Sequence, residues 1–514
     1  MPDILLATLN ARYIHASLGL RYLLANLGAH QAATEIVEFV ITQRPIDIAE
    51  AILARSPRIV GFGVYIWNIE ETAKVIALLK TVRPDLLIVL GGPEVSYECE
   101  EQSIVALADY VITGWGDVTF GTLCAELLAG LRSGQKIIAG AQPRLNDLAL
   151  PYRFYTDQDI ARRLVYVEAS RGCPFKCEFC LSSLDKTAWP FDLDRFLAEM
   201  RSLHERGARH FKFVDRTFNL NIKSSQRILE FFLERLDDQL FLHFELIPDH
   251  LPDALKAIIA RFPPGQLQFE IGIQSWDPSV QALISRRQDN AQSAANIRWL
   301  REHTGAHLHT DLIAGLPGET LAGFAAGFDR LVALNPHEIQ VGILKRLRGT
   351  PITRHTQPFA MQYSPHPPYN ILANALLDFP TMQRLQRFAR YWDLIGNSGR
   401  FVHTMPYLLG TQPFERFLRL ADWLYARTGQ THAIALDRLF DLVFAALTEL
   451  FKISDESARG FLAADYGASG ARGAPVFLRG HAPQRPGRQV DAHPPGAIRQ
   501  ARHQRPIAIE VGDS

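Results

Sequence analysis

Three cysteines at positions 173, 177 and 180 constrain this chain more than any other feature. They lie in the run Arg171-Gly172-Cys173-Pro174-Phe175-Lys176-Cys177-Glu178-Phe179-Cys180. Gaps of three and two residues let one tight loop give three thiolates to three irons of a cubane 4Fe-4S cluster, leaving the fourth iron without a protein ligand. An iron left open in this way is reactive. Two other readings stand beside it. A closed structural zinc wants four ligands, usually in two pairs, and no second pair follows at the right distance. The blander reading is three cysteines that only pack.

Such a loop needs a rigid support. Leu164-Val165-Tyr166-Val167-Glu168 reads as a strand that delivers it from its carboxyl end, where a β/α barrel carries its active site. Strand and helix patterns then alternate. His210 to Val214 ends at Asp215, Phe241 to Phe244 at Glu245, and Leu267 to Ile273 at Gln274-Ser275. His309 to Ile313 runs into Ala314-Gly315, and Glu338 to Leu344 is a sixth strand. Six strands predict a partial, open (β/α)6 TIM-type barrel over residues 164–350. The polar residues at the strand ends are candidate ligand groups, or ordinary helix caps.

Residues 1–145 predict a separate Rossmann-like, doubly wound α/β domain. Ile4 to Leu9 reads as a strand and Leu18 to Leu27 as a helix. Ile59 to Tyr65 is a buried strand, followed by Asn68 as a helix N-cap with an acidic capping-box partner. Leu86 to Leu90 runs into Gly91-Gly92-Pro93, and Tyr110 to Thr113 into Gly114-Trp115-Gly116-Asp117. Ligands of such a sheet bind beyond the carboxyl ends of its strands. Glycines there suit the close approach of a large flat ligand, and they are also common turn residues.

A polar stretch over 146–163, containing Pro151, is expected to be a linker. Beyond the barrel, Ile371 to Phe379, Met382 to Ile395, Phe414 to Ala426 and Leu436 to Phe451 show helical apolar spacing, predicting an α-helical domain over 351–466. Residues 467–514, rich in Gly, Pro, Arg and His, read as a flexible tail; the basic run at 499–503 could touch phosphate. Five cysteines in 514 residues do not make a disulfide framework, so a reducing, cytoplasmic setting is expected, with Cys99 and Cys124 as plain buried thiols. The chain starts without a leader pattern and has no apolar run near twenty residues. Lys plus Arg and Asp plus Glu both number 54, so a globally basic nucleic-acid binder is not expected, nor a membrane partner.

The Cys-x-x-x-Cys-x-aromatic-Cys pattern, with Phe179 before the last cysteine, resembles the signature of the radical S-adenosylmethionine superfamily. The resemblance implies that Cys173, Cys177 and Cys180 hold the cluster and that the open iron binds S-adenosylmethionine. It places Phe179 near adenine and Asp215 where many relatives grip the methionine amine with a Gly-Gly-Glu strand, a pattern this chain lacks. Glu245, Gln274 and Ser275 would line the ribose and carboxylate side, and Ile313 and Gly315 the adenine. The first domain resembles the cobalamin-binding domain that precedes the barrel in one large class of the superfamily. That likeness assigns His15, Leu18, Gly63, Tyr65, Gly91, Gly92, Pro93, Gly114 and Gly116 to the cobalamin site. The class's Asp-x-His-x-x-Gly motif is absent in strict form, so His15 is a cobalt ligand, an outer donor or a helix-start residue. The carboxyl-terminal segment resembles a domain of unknown role that follows the barrel in one subgroup.

The resemblance implies an enzyme that methylates an unactivated carbon of a small-molecule or biosynthetic-intermediate substrate. It would use the 4Fe-4S cluster, S-adenosylmethionine, cobalamin and an electron donor such as flavodoxin or ferredoxin. No catalytic side chain is singled out. The alternatives are a cobalamin-dependent cyclisation or rearrangement without methyl transfer, and a cobalamin or iron-sulfur sensor without turnover. Methylthiolation of tRNA fits less well, because that family carries an amino-terminal cluster domain and a terminal RNA-binding barrel.

Overall fold

The computed structural model describes residues 1–471 and 473–479; the run at 499–503 lies outside them. Two six-stranded parallel sheets follow one another. The first contains β1 (Ile4–Asn10), β2 (Thr34–Val40), β3 (Ile59–Gly63), β4 (Leu87–Gly91), β5 (Tyr110–Thr113) and β6 (Ile137–Ala139) in the order β2-β1-β3-β4-β5-β6. The strand order reverses beside β1, so the ligand crevice of this doubly wound sheet opens at the carboxyl ends of β1 and β3. All seven residues of β1 are buried. Helices Pro45–Leu53 and Ile69–Val82 cover one face of the sheet, and Leu18–Ala25 with Thr119–Leu128 the other.

Asn68 does not cap the helix it precedes, contrary to the sequence expectation. Its side chain turns inward, fully buried, and Nδ2 donates to the carbonyls of Leu9 and Gly63 (both 3.1 Å) while Oδ1 accepts from the Tyr65 N–H (2.8 Å). The bare ends of two adjacent strands need those bonds more than a solvated helix start does.

The second sheet holds β7 (Val165–Val167), β8 (His210–Phe213), β9 (Phe241–Leu246), β10 (Leu267–Gln274), β11 (His307–Ala314) and β12 (Glu338–Ile343), hydrogen-bonded in sequence order. Strands β7 and β12 do not meet, so the barrel is open. Other groups bond to both free edges. The Tyr155 hydroxyl donates to Tyr166 O (2.8 Å) and accepts from Tyr166 N (3.1 Å), Tyr152 does the same for Glu168 (both 3.1 Å), and Leu164 N–H reaches Ile14 O (2.9 Å). On β12, the Asn397 amide pairs with both backbone groups of Ile339 (3.0 and 2.9 Å).

The segment 146–163 therefore packs as structure: Tyr152 and Tyr155 are fully buried, and residues Asp157–Arg162 form a helix. Asp159 and Arg163 join Arg21 and Glu38 of the first domain in a buried ion network with contacts of 2.6–3.1 Å.

Beyond the barrel, helices Phe379–Leu394, Pro413–Thr428, Leu436–Ala445 and Asp455–Ala468 share one continuous core with it, with Phe328 packed edge-on against Phe388, Trp392 and Phe414. The helical expectation over Ile371–Phe379 is corrected. Ile371–Ala373 is a short strand paired with Gln362–Tyr363, because the Ile371 N–H is taken by Leu344 O at the end of β12 (2.8 Å) and Asp378 starts the helix only afterwards. The assigned tail begins in order, since Phe477 is buried and its N–H bonds Asp441 (3.1 Å).

Candidate active site at the barrel mouth

A cavity of about 230 Å³ opens at the carboxyl ends of the barrel strands, and Cys173, Cys177 and Cys180 all line it. The loop carrying them leaves β7 through Ser170–Arg171, which pairs antiparallel with Trp189–Pro190 and so closes the excursion. Gly172, at φ +92°, turns the chain beside Thr187, where a side chain would collide. Burial pushes the Cys173 thiol up to about 11. It raises Cys177 too, but there the Arg286 guanidinium, 3.7 Å from Sγ, pulls in the opposite direction. Among the described residues no three His, Cys, Asp or Glu side chains converge on a single ion. Three thiols on one loop, all lining one cavity with no fourth cysteine or histidine among its lining residues, are a donor set that fits a cubane with one open iron.

Of the residues expected to hold S-adenosylmethionine, Phe179, Glu245 and Gln274 line this cavity together with the cysteines. Gln274 sits at φ +69°, at the register shift that ends β10. The other four do not line it. Asp215 is buried behind the cysteine loop, accepting from Ser170 Oγ (2.6 Å) and Ala169 N (3.0 Å). Ser275 donates to Glu319 (2.6 Å), Ile313 packs against the core, and Gly315, at φ +91°, lies against Ile371 and Met382.

Sequence reasoning missed several lining groups: Arg216, Asp249, Glu270, Arg286, Arg287 and Asp311. Arg216 pairs with Glu245 at 2.6 Å. Burial would raise Glu270, yet the hydrogen bond from His243 (3.1 Å) and the Lys212 charge bring it down to about 2. Burial opposes a charged His309, but Asp311 and Glu338, each 3.2 Å away, lift it to about 10. The signal for this layer was charge at alternate strand positions, Glu245, Glu270, His309 and Asp311, which a period of two turns into the barrel. Arg286 had no local signal beyond the Arg286-Arg287 pair itself.

The carboxyl edge of the first sheet meets the cysteine loop across a seam. Trp115 Nε1 donates to Asp185 (2.8 Å) and packs edge-on against Trp189. Arg171, two residues before Cys173, pairs with Asp117 (2.9 Å) and Glu168 (2.6 Å) and lies over the Tyr22 and Trp115 rings. Arg348 of the barrel reaches Glu94 (3.0 Å), just past Pro93.

Gly63, Gly91, Gly92, Pro93, Gly114 and Gly116 come together on this edge. Their turns form the carboxyl rim of the sheet, at which Gly92 has φ +109° and Gly114 φ +71°. Tyr65 stacks on Trp67 at 4.4 Å beside Gly19. Leu18 opens its helix and packs toward the barrel core. His15 lies in the seam with Nδ1 2.7 Å from the Tyr166 hydroxyl, and its ring is engaged with the barrel. At Gly91 and Gly114 an added Cβ would meet nothing closer than 3.8 Å, so the backbone there is open to the close approach that a corrin needs.

Two domain families meet in this chain. The description "B12 binding domain" matches residues 4–123 and "Radical SAM superfamily" matches residues 167–330. The chain is a cobalamin-binding radical S-adenosylmethionine protein. Residues 357–489 match a "Protein of unknown function" family, DUF4080.

The cobalamin-dependent radical SAM methyltransferase TokK of Streptomyces tokunonensis is 24% identical over 363 residues, 61% of this chain and 51% of that protein. The chain thus spans about half the length of that relative. The tRNA-2-methylthio-N(6)-dimethylallyladenosine synthase of Ralstonia pickettii is 26% identical over 324 residues, 60% of this chain and 64% of its own. The solved structure of the cobalamin-dependent S-adenosylmethionine radical enzyme OxsB with aqua-cobalamin bound shares the fold. Its TM-score is 0.61 at 14% identity, covering 91% of this chain and 79% of that one. Among the described residues no helix is long and apolar enough to cross a membrane.

Proposed function

We propose that this chain is a cobalamin-dependent radical enzyme that transfers a methyl group to an unactivated carbon of a small molecule. The observation that carries the reading is the seam itself: the glycine rim of the first sheet and the cysteine loop of the barrel are bound to each other through Trp115–Asp185 and Arg171–Asp117. A corrin on the rim and a cluster on the loop then serve one space. When bound, the cluster with S-adenosylmethionine supplies a 5'-deoxyadenosyl radical, and cobalamin carries the methyl group.

The chain's own residues have narrower duties. Cys173, Cys177 and Cys180 hold the irons. Phe179, Glu245 and Gln274 line the S-adenosylmethionine space, where a carboxylate suits the methionine ammonium or the ribose diol. Glu245 is in turn oriented by Arg216. Asp215 supports the loop's approach from behind. His15, held by Tyr166, braces the seam and is not placed as a cobalt ligand in this reading. Electrons come from a ferredoxin- or flavodoxin-like donor.

The test is mass spectrometry of S-adenosylmethionine products from anaerobically reconstituted full-length chain with dithionite, with and without cobalamin. Deoxyadenosine together with cobalamin-dependent S-adenosylhomocysteine is expected. Deoxyadenosine alone would replace methyl transfer with cyclisation or rearrangement, and absence of both would leave a sensor. Incorporation of sulfur into tRNA would move the chain to the class of the Ralstonia relative.

A further inference from the structure

Glu178 stands between two of the cluster cysteines, yet its side chain points away from the cavity and is almost wholly buried. A buried carboxylate needs donors, and Glu178 has three from two distant segments. Oε1 accepts from Ser285 Oγ and Arg354 Nη2, both at 2.5 Å, and Oε2 is 2.9 Å from His355 Nε2. Its backbone is gripped as well: Glu178 N–H donates to Ile284 O and Glu178 O accepts from Ile352 N–H, both at 3.0 Å.

Ser285 is held at φ +53°, a left-handed backbone that a non-glycine residue adopts only when its surroundings hold it there. The residue after it is Arg286. Its guanidinium bonds Gly272 O and Gln288 and brings Nη1 to 3.7 Å from Cys177 Sγ.

We propose that Glu178 is a positioning residue. By holding Ser285 in its left-handed turn, it keeps the Arg286 charge beside the Cys177 sulfur, and through Arg354 and His355 it ties that arrangement to the first turn of the carboxyl-terminal domain. A cation and an N–H donor next to a cluster thiolate favour the reduced, more negative cluster, so this placement raises the reduction potential. The inference rests on the cluster reading above.

Glu178→Asp and Ser285→Ala both break the Glu178–Ser285 bond while leaving the net charge unchanged, and Arg286→Gln removes the cation. The measurement is a redox titration, followed by electron paramagnetic resonance, of the reconstituted full-length chain without added S-adenosylmethionine, with iron counted per chain. All three variants are expected to shift to more negative potential, Arg286→Gln furthest. Ser285→Ala should add nothing to Arg286→Gln when the two are combined. Unchanged potential in Ser285→Ala at wild-type iron content would overturn the proposal, as would a Ser285→Ala shift that persists without Arg286. If Glu178→Asp does not fold, Ser285→Ala decides alone. A wild-type chain that takes up no iron would overturn the cluster reading itself, and this proposal with it.

Discussion

Asp215 is a carboxylic acid enclosed by the fold, only 3% exposed. It ends a barrel strand as expected, but its carboxyl braces the backbone before the cysteine loop. Burial, opposed by the Ser170 and Ala169 bonds, lifts it to about 7 from an ordinary 3.8. Because the folded value lies above the unfolded one, the folded chain binds more protons between about pH 4 and 7. Its contribution to stability is complete below that window and is lost as pH rises through it, at up to about 1.4 kcal/mol per pH unit. Asp215→Asn should flatten this dependence. Urea midpoints at pH 5 and pH 8 should therefore fall for the wild type by more than for the variant.

Gly92 makes a second residue-scale prediction. A Cβ there would sit 2.5 Å from Val64 O, at a φ that side chains avoid. Gly92→Ala should cost about 2 kcal/mol or more of stability. It should also weaken cobalamin uptake, followed by absorbance titration.

At the scale of elements, the barrel strands were legible because most are largely buried runs rich in apolar residues, four of them ending in a polar residue, and all six stand where the pattern put them. Strand β2 was not, since Thr34-Glu35-Ile36-Val37-Glu38-Phe39-Val40 is an edge strand that is mostly half-buried and interrupted by two glutamates. The cysteine loop was legible because its information is local. Arg286 and the tyrosines of the linker were not, because their roles depend on partners more than ten residues away that no spacing reveals.

Those tyrosines carry the element-scale prediction. Tyr155→Phe leaves the half-buried Tyr166 N–H and C=O without their partner, which should cost about 1–3 kcal/mol. A lowered thermal midpoint with unchanged secondary structure by circular dichroism is the expected result.

At the scale of the whole molecule, the barrel is the middle member of a continuous assembly. Its core runs on into the carboxyl-terminal helices, and its two open edges are met from opposite directions, β7 sealed by the first domain and the linker and β12 engaged at Ile339 by Asn397. An unpaired strand edge invites association with other chains. The sealing of β7 has a consequence for the order of synthesis. Ile14, Tyr152 and Tyr155 all leave the ribosome before the strand they seal. When that strand emerges, its free side meets groups already waiting for it, and the nascent barrel need never offer that side to a neighbouring chain.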